Sequence, residues 1–532
     1  MKKQKYDWLS LSFLGIVGFL VWFSSMKLLY PPYLTFSDAA KFADIARNIV
    51  GGNGFGAGFA PFSEEFLKTP GLLPIASPPF LPLLLSAGFK IFGVNDWVVI
   101  FTSALFYFAS GFVLYLLGKR LFGKIVGILA SLVFLFDPAM INYAVIGASE
   151  SLFIFELLLA SLMFSINTKR SSFFGFLALA ALYFTRPSAI IYIFGLVLFF
   201  IFLNFRSRNS LLKIGGIILF IWLFFEFISA KFSNGYLFYS PIKTFFYGAA
   251  KFSPETASTE TLRGGMLSAG FQFKPFLSKF FYHLYNFYKL LPQIFSPYLF
   301  SLYVLSIIRW DEKRELILFR GLVIYFVLAT FFASAASLPL YRYLHPVAPF
   351  VYLLGIEFVV WLLRRVYKEQ RQVVAVAAIL VFIFIGGQTV GKIFLDSRFE
   401  NARLNRDKPP VYVKLAKILK ENTKTTDYIV TNLDTWGTWY GKRKTIWFPI
   451  EPNQLVPKEG TENEISAIYL TSYKMDDSDY FMGDSWRKMF LNPENLENEY
   501  LAENFKLAGK YEVPGSETYE GESASAVLFV RK

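Results

Sequence analysis

A chain of 532 residues that is 55% hydrophobic, 19% aromatic and only 17% charged lacks the charge, about 25%, that solvates an ordinary soluble domain; composition excludes a soluble protein. The formal net charge of +14 does not point to nucleic acid, because 19 basic and 22 acidic residues lie from position 394 onward, leaving 34 basic and 17 acidic among the first 393, where the apolar runs are. The absence of cysteine excludes disulfides and thiolate metal sites, and His283 and His345 as the only histidines disfavour a zinc site built from imidazoles.

The N-terminal MKKQKYDW and the apolar run to Met26 are followed by no small-residue cleavage pattern, so they read as an uncleaved first span. Apolar runs recur at roughly 8–29, 97–117, 121–137, 148–166, 172–185, 189–205, 211–230, 291–308, 315–336, 345–363 and 373–392. These predict about eleven spans for a hydrocarbon core of about 30 Å, with 172–185 short enough to be a tilted or partial one. Lipid offers the backbone no hydrogen-bond partner, so the runs must be helices. Basic residues gather in alternate connections: Lys2, Lys3 and Lys5; Lys119, Arg120 and Lys124; Lys169 and Arg170; Arg206, Arg208 and Lys213; Arg309, Lys313, Arg314 and Arg320; Arg364, Arg365, Lys368 and Arg371. The turns at 138–147, 184–188 and 337–344 hold only Arg186 and Arg342. The positive-inside rule then puts the N-terminus in the cytoplasm and the C-terminal residues outside a cell membrane.

Three outer segments follow from that orientation. The first loop, 30–96, contains a stretch at 36–50 with Ala39, Phe42, Ala43, Ala46 and Ile49 at helical spacing, which predicts a helix lying in the interface plane. The loop at 231–290 is aromatic and basic, with a turn-rich stretch, SPETASTETLRGG, at 253–265. The tail alternates a predicted helix, VYVKLAKILKEN at 411–422, with predicted strands at 428–432, 444–449, 467–473 and 526–532. Residues 1–393 thus read as an α-helical polytopic membrane domain and 394–532 as a small extracytoplasmic α/β domain.

Charges at the outer ends of spans are costly and mark function. Asp38, Asp137, Glu150, Arg186 and Arg342 lie at the outer ends of different spans and can converge on one cavity. A sugar carried on a lipid phosphate needs one carboxylate to take the acceptor's proton and guanidinium groups to hold the departing phosphate. Asp38 with Arg186 and Arg342 meets that requirement, and Lys68 is a weaker phosphate candidate. Glu150, Asp137, Tyr143, Asp44, Tyr341 and His345 are the candidates for lining an acceptor or substrate pocket. Each has a bland alternative. Ser37 and Asp38 together suit a helix cap, Asp137 before Pro138 suits a turn, Arg186 and Arg342 suit snorkelling to headgroups, and His345 suits a helix start. Glu156, Glu226 and Glu357 fall inside spans, where hydrogen bonds to Tyr, Ser or Trp compete with a proton pathway. The glycine-rich GGNGFGAG at 51–58 follows a helix, not a strand, and reads as a turn rather than a nucleotide-phosphate loop.

FSDAAKFADIARNIVGGNGF, SPPFLPLLLSAGFKIFG (77–93), FDPAMINYAVIGASESLFIF (136–155), FTRPSA and YRYLHPVAPF (341–350), in that order and spacing, resemble the GT-C superfamily of membrane glycosyltransferases. That superfamily includes protein O-mannosyltransferases and bacterial aminoarabinose and galacturonic acid transferases. The resemblance implies an inverting transferase that takes a sugar from a polyprenyl-phosphate carrier to a glycan, lipid or protein acceptor at the outer face, among membrane lipids and without nucleic acid. It carries the catalytic base onto Asp38, the second acidic position onto Glu150 and the carrier-phosphate arginine onto Arg342. Many relatives have an acid directly after the aspartate, where this chain has Ala39, so a divalent metal is left open. Two other readings stand beside it: a transporter or lipid flippase, and a non-catalytic subunit of an envelope-assembly complex.

Overall fold

The computed structural model describes residues 8–29, 32–62, 77–204, 273–309, 313–336, 341–387, 409–433, 435–449, 451–457, 464–473, 475, 482–517 and 523–532. Lys68, Glu226, the expected span at 211–230 and the stretch at 253–265 lie outside them.

From the N-terminus run α1 (Trp8–Leu29), α2 (Ser37–Val50), a short strand β1 (Phe59–Pro61), α3 (Phe80–Phe92) and α4 (Asp96–Leu121). Next come α5 (Lys124–Leu135), α6 (Pro138–Val145), α7 (Glu150–Ile166), α8 (Lys169–Thr185) and α9 (Ala189–Asn204). Beyond residue 272 the chain forms α10 (Phe273–Ile294), α11 (Pro297–Ile307) and α12 (Arg314–Ala336). Two 3-10 turns, Tyr341–Tyr343 and His345–Val347, lead into α13 (Ala348–Val366) and α14 (Gln370–Ile385). Among the described residues four helices are long and apolar enough to cross a membrane: Trp8–Lys27, Asp96–Leu121, Arg314–Ala336 and His345–Val366. A fifth is reached by joining α5 and α6, which meet at 60°. The bend has a local cause: Pro138 cannot continue α5, and Asp137 caps α6 by accepting from the Ala139 and Met140 amides at 2.8 and 3.1 Å.

The four or five spans found among the described residues fall short of the eleven expected, and the sequence reading differs in detail at further places. Residues 273–290, read as loop, belong to α10, whose lysines and prolines hid its helical period. Glu357 was expected to bond neutral groups, but it binds Arg320 Nη2 at 2.7 Å and Arg309 as well. Arg320, counted above with the inner-loop charges, is accordingly buried between helices. Glu156 accepts a hydrogen bond from Thr185 at 2.9 Å. A tight crossing of α4 and α5 depends on Gly118 and Gly127, where a Cβ on either would approach backbone atoms of the other helix to 2.8 Å or less.

The tail contributes α15 (Val411–Asn422), β2 (Tyr428–Thr431), α16 (Trp436–Trp439), β3 (Lys444–Trp447) and β4 (Ile465–Thr471). It ends with α17 (Asp484–Leu491), α18 (Glu499–Asn504), β5 (Phe505–Glu517) and β6 (Ser523–Arg531). Its six-stranded sheet has the order β1-β3-β2-β4-β6-β5. The first four strands run parallel, and β6 alone is reversed, pairing antiparallel with β4 on one side and β5 on the other. One edge is β1, from the first loop, paired with β3 at Phe59↔Thr445, Ala60↔Ile446 and Pro61↔Trp447. A division at 393/394 therefore cuts a shared sheet. One face of the tail buries Trp447, Trp486 and Phe529 in its own core, whereas Tyr412, Leu415, Trp436 and Trp439 join the apolar core of the helical bundle.

Candidate active site

The site is assembled at four helix ends. Asp38 lies in the first turn of α2, whose N-cap residue, Phe36, makes no side-chain capping bond. The carboxylate is thus not occupied as a cap. Its Oδ2 accepts from Arg342 Nη2 at 3.2 Å, its Oδ1 faces Lys41 Nζ at 3.6 Å, and its side chain keeps 36% exposure, enough for a reactant to reach it. Arg342 stands in the 3-10 turn before α13. Its guanidinium hydrogen-bonds the Tyr343 hydroxyl and lies over the rings of Phe36 and Tyr343 at 5.1 and 5.5 Å.

Arg186 follows α8 in extended backbone because the next residue, Pro187, disfavours a further helical turn. Its Nη1 is 2.5 Å from Glu150 Oε1, and both side chains are buried. Glu150 opens α7 directly after the turn at Gly147, a glycine at φ +75 whose added Cβ would stand 2.9 Å from Val99 and 3.4 Å from Ala39. Ala39 is itself fully buried, so the position directly after Asp38 is apolar and packed beside that turn. Tyr343 links the two arginines: the Arg186 guanidinium lies 5.2 Å from its ring.

Asp38, Arg342, Arg186 and Glu150 therefore come together, joined by Lys41 and Tyr343, which the sequence reading did not single out. Three cations face two carboxylates, an excess of one positive charge among the described residues. Partial withdrawal from water raises the Asp38 pKa, but Lys41, Arg342 and Arg186 outweigh it and hold the carboxyl down at about 2.

Other candidates are placed differently. Asp44 is six residues beyond Asp38 and so about 120° round the helix. It departs from the expected pocket role because its carboxylate is taken by Arg47 and by the Gly58 amide at 2.7 Å. Burial pushes its pKa up against the pull of Arg47. Asp137 is the α6 cap described above and also accepts from Tyr352 at 2.5 Å, a structural setting in place of the expected pocket. Tyr143 and His345 are buried and pair with one another, hydroxyl to Nδ1, at 2.5 Å. Tyr341 begins the turn that carries Arg342. No group of three His, Asp or Glu among the described residues is arranged to hold a metal ion.

The tail grips the segment that carries Asp38. Thr435 donates to the Ser37 carbonyl at 2.9 Å. Tyr440 accepts from the Leu34 amide and donates to Asp96, each at 2.8 Å, and Trp439 donates to the other Asp96 oxygen at 2.7 Å. Tyr412 donates to the Leu34 carbonyl at 2.8 Å. At the far end of α2, Arg47 donates to the Trp439 and Thr438 carbonyls at 3.1 and 3.0 Å.

A family model described as dolichyl-phosphate-mannose-protein mannosyltransferase matches residues 76–229, less than a third of the chain. Comparison with curated protein sequences gives no match. Among solved structures, the chain is similar to ArnT from Cupriavidus metallidurans bound to undecaprenyl phosphate, with TM-score 0.51, 13% identity and 97% of each chain covered. It is also similar to the oligosaccharyltransferase AglB from Archaeoglobus fulgidus in complex with an inhibitory peptide and a dolichol-phosphate. That match has TM-score 0.55 and 15% identity, over 99% of this chain and 75% of that one. A third is the mycobacterial arabinofuranosyltransferase AftD, at TM-score 0.50 and 12% identity, of which this chain covers 41%. Identities this low establish a likeness of fold.

Proposed function

We propose that this chain, which has the GT-C fold, is an inverting glycosyltransferase that moves a sugar from a polyprenyl-phosphate carrier to a hydroxyl of a glycan, lipid or protein acceptor. The reaction takes place at the outer face of the cell membrane, with the N-terminus cytoplasmic and the tail outside. Asp38 is the base. It takes the acceptor's proton as the hydroxyl oxygen attacks the anomeric carbon from the side opposite the phosphate. Arg342 and Arg186 stabilise the charge that gathers on the leaving phosphate, with Lys68 as a further contact. Glu150 fixes Arg186, and Tyr343 spaces the two guanidinium groups.

The observation that carries this reading is Asp38 Oδ2 at 3.2 Å from Arg342, beside the Arg186–Glu150 pair, in a cluster of net positive charge with a half-buried carboxylate that solvent still reaches. A phosphate recognised by planar guanidinium forks next to a solvent-reachable base is what this transfer needs. The undecaprenyl phosphate in the ArnT structure and the dolichol-phosphate in the AglB structure support a lipid-phosphate donor. The transport reading loses one of its candidate relays because Glu357 is held by both Arg309 and Arg320.

The test is transfer by the purified full chain in liposomes from a panel of polyprenyl-phosphate sugars. Release of free polyprenyl phosphate, dependent on an added acceptor, is expected with at least one donor. Failure with every donor, by protein that binds polyprenyl phosphate no better than denatured protein, sinks the proposal.

A further inference from the structure

A base needs a free oxygen, yet both oxygens of Asp38 face cations. Oδ1 faces Lys41 from its own helix, and Oδ2 is held by Arg342 from the 3-10 turn. The remaining charged groups around it are Arg186, at the end of α8, and Glu150, at the start of α7, whose charges are paired at 2.5 Å although neither Glu150 oxygen is hydrogen-bonded among the described residues. Tyr343 lies between the arginines. Arg342 and Lys41 are therefore the two cations whose principal counter-charge is Asp38 itself, and they are the more exposed ones, at 24% and 25% against 9% for Arg186.

We infer that Asp38 and the carrier phosphate compete for Arg342 and Lys41, so that donor binding releases the carboxylate for catalysis and the returning carboxylate expels the spent carrier. This rests on the reading of Asp38 as base and Arg342 as phosphate contact.

The charges balance at each stage. The donor is a phosphodiester with one negative charge, which neutralises the cluster's excess of one positive charge. In the transfer the acceptor oxygen bonds to the anomeric carbon. The bond from that carbon to the phosphate oxygen breaks with its electron pair on the phosphate, and the acceptor's proton goes to Asp38. The product is a phosphomonoester of about −1.5 to −2 charge near neutral pH, and it faces a cluster that protonation has made more positive by one. Once Asp38 passes its proton to water, a carboxylate reappears a few ångströms from that dianion and reclaims Arg342. Repulsion at such a separation is worth a large factor in affinity even at surface-like dielectric. The unliganded carboxyl is held low by the same cations, so its proton affinity is highest while phosphate occupies them.

The experiment measures binding of two probes to the full chain in nanodiscs: undecaprenyl phosphate, and its methyl ester, which carries a single charge and no sugar. Asp38→Asn is expected to bind the monoester about tenfold more tightly than wild type and to tighten for the ester by a clearly smaller factor. Asp38→Ala provides the same comparison if the asparagine variant does not purify. Unchanged or weaker monoester binding in the variant, or equal tightening for both probes, overturns the competition. Arg342→Ala separates the two claims. If it abolishes binding while removal of the Asp38 charge brings no gain, only the competition falls. If it leaves monoester binding at the wild-type level, the carrier-site reading falls with it.

Discussion

Replacing Tyr440 with phenylalanine probes how far the C-terminal tail governs the site without touching it. The hydroxyl is a hub: it accepts from the Leu34 amide and donates to Asp96 Oδ2, each at 2.8 Å. Leu34 is fully buried, and the Asp96 carboxylate lies near enough to its amide to take it over when the hydroxyl goes. Asp96 keeps Trp439 on its other oxygen. The net loss is one bond to a charged acceptor, about 2 kcal/mol, which lowers the thermal midpoint by a few degrees. The functional effect should be larger than the stability effect. Leu34 lies four residues before Asp38, and the same patch fixes the Ser37 carbonyl through Thr435. Loosening the entry to α2 displaces a base that has to meet the acceptor within a fraction of an ångström. A fall in kcat of about tenfold to a hundredfold is expected, with donor KM moved little because Arg342 and Arg186 sit on other elements. Steady-state transfer and a melting curve on the same preparation test this. A Tyr440→Phe enzyme with wild-type kcat, or one whose donor KM rises while kcat holds, refutes the claim that the tail positions Asp38.

Other outcomes follow from the same geometry. Arg342→Ala should both raise donor KM and lower kcat, measured with donor as the varied substrate, because the guanidinium meets the bound phosphate and the charge that gathers on it as it leaves; an unchanged kcat/KM removes its phosphate role. Glu150→Gln leaves Arg186 buried without its counter-charge and should cost about 3 kcal/mol. Adding Arg186→Met should recover much of that stability, and a double-mutant cycle showing no coupling contradicts the pairing. The folded-state pKa of Asp38 is depressed, to about 2, so its ion pairs stabilise the fold fully above the unfolded-chain pKa and are lost as pH falls through the folded one. The stability difference between wild type and Asp38→Asn should therefore be constant above about pH 5 and disappear by about pH 2. A difference that grows on acidification reverses the sign and the argument.

The four charged residues of the site were legible in the sequence for one physical reason. Isolated charges at the outer ends of apolar runs are expensive unless they meet, and Asp38, Glu150, Arg186 and Arg342 do meet. Lys41 escaped notice because a lysine three residues along an amphipathic helix looks like ordinary solvation, and only the approach of the 3-10 turn makes it a partner. Tyr343 escaped because its contact with the Arg186 guanidinium, from a segment far away in the chain, leaves no local pattern. Asp44 misled, since its acidity drew attention but its partner, the Gly58 amide, comes from a loop closed by the tail. β1 was invisible because three residues, Phe59–Pro61, are too few for a period-two signal and their pairing strand lies almost four hundred positions away. β5 was missed because Gly509 and a run of lysine and glutamate break the apolar alternation. The helix at 273–294 was hidden by charges and prolines. Long apolar helices were the easiest to place: α1 and α12 coincide with the expected runs almost to the residue.

The most direct test of the central claim is a single-turnover transfer measurement with Asp38→Asn, once an accepted donor is in hand and the variant is shown to be folded and membrane-inserted. Removing a positioned base should slow the sugar-transfer step by a factor on the order of 10² to 10⁴ while donor binding persists. Turnover near the wild-type rate would mean that another group takes the proton and that the acid gathered with two arginines at this helix end is not the base.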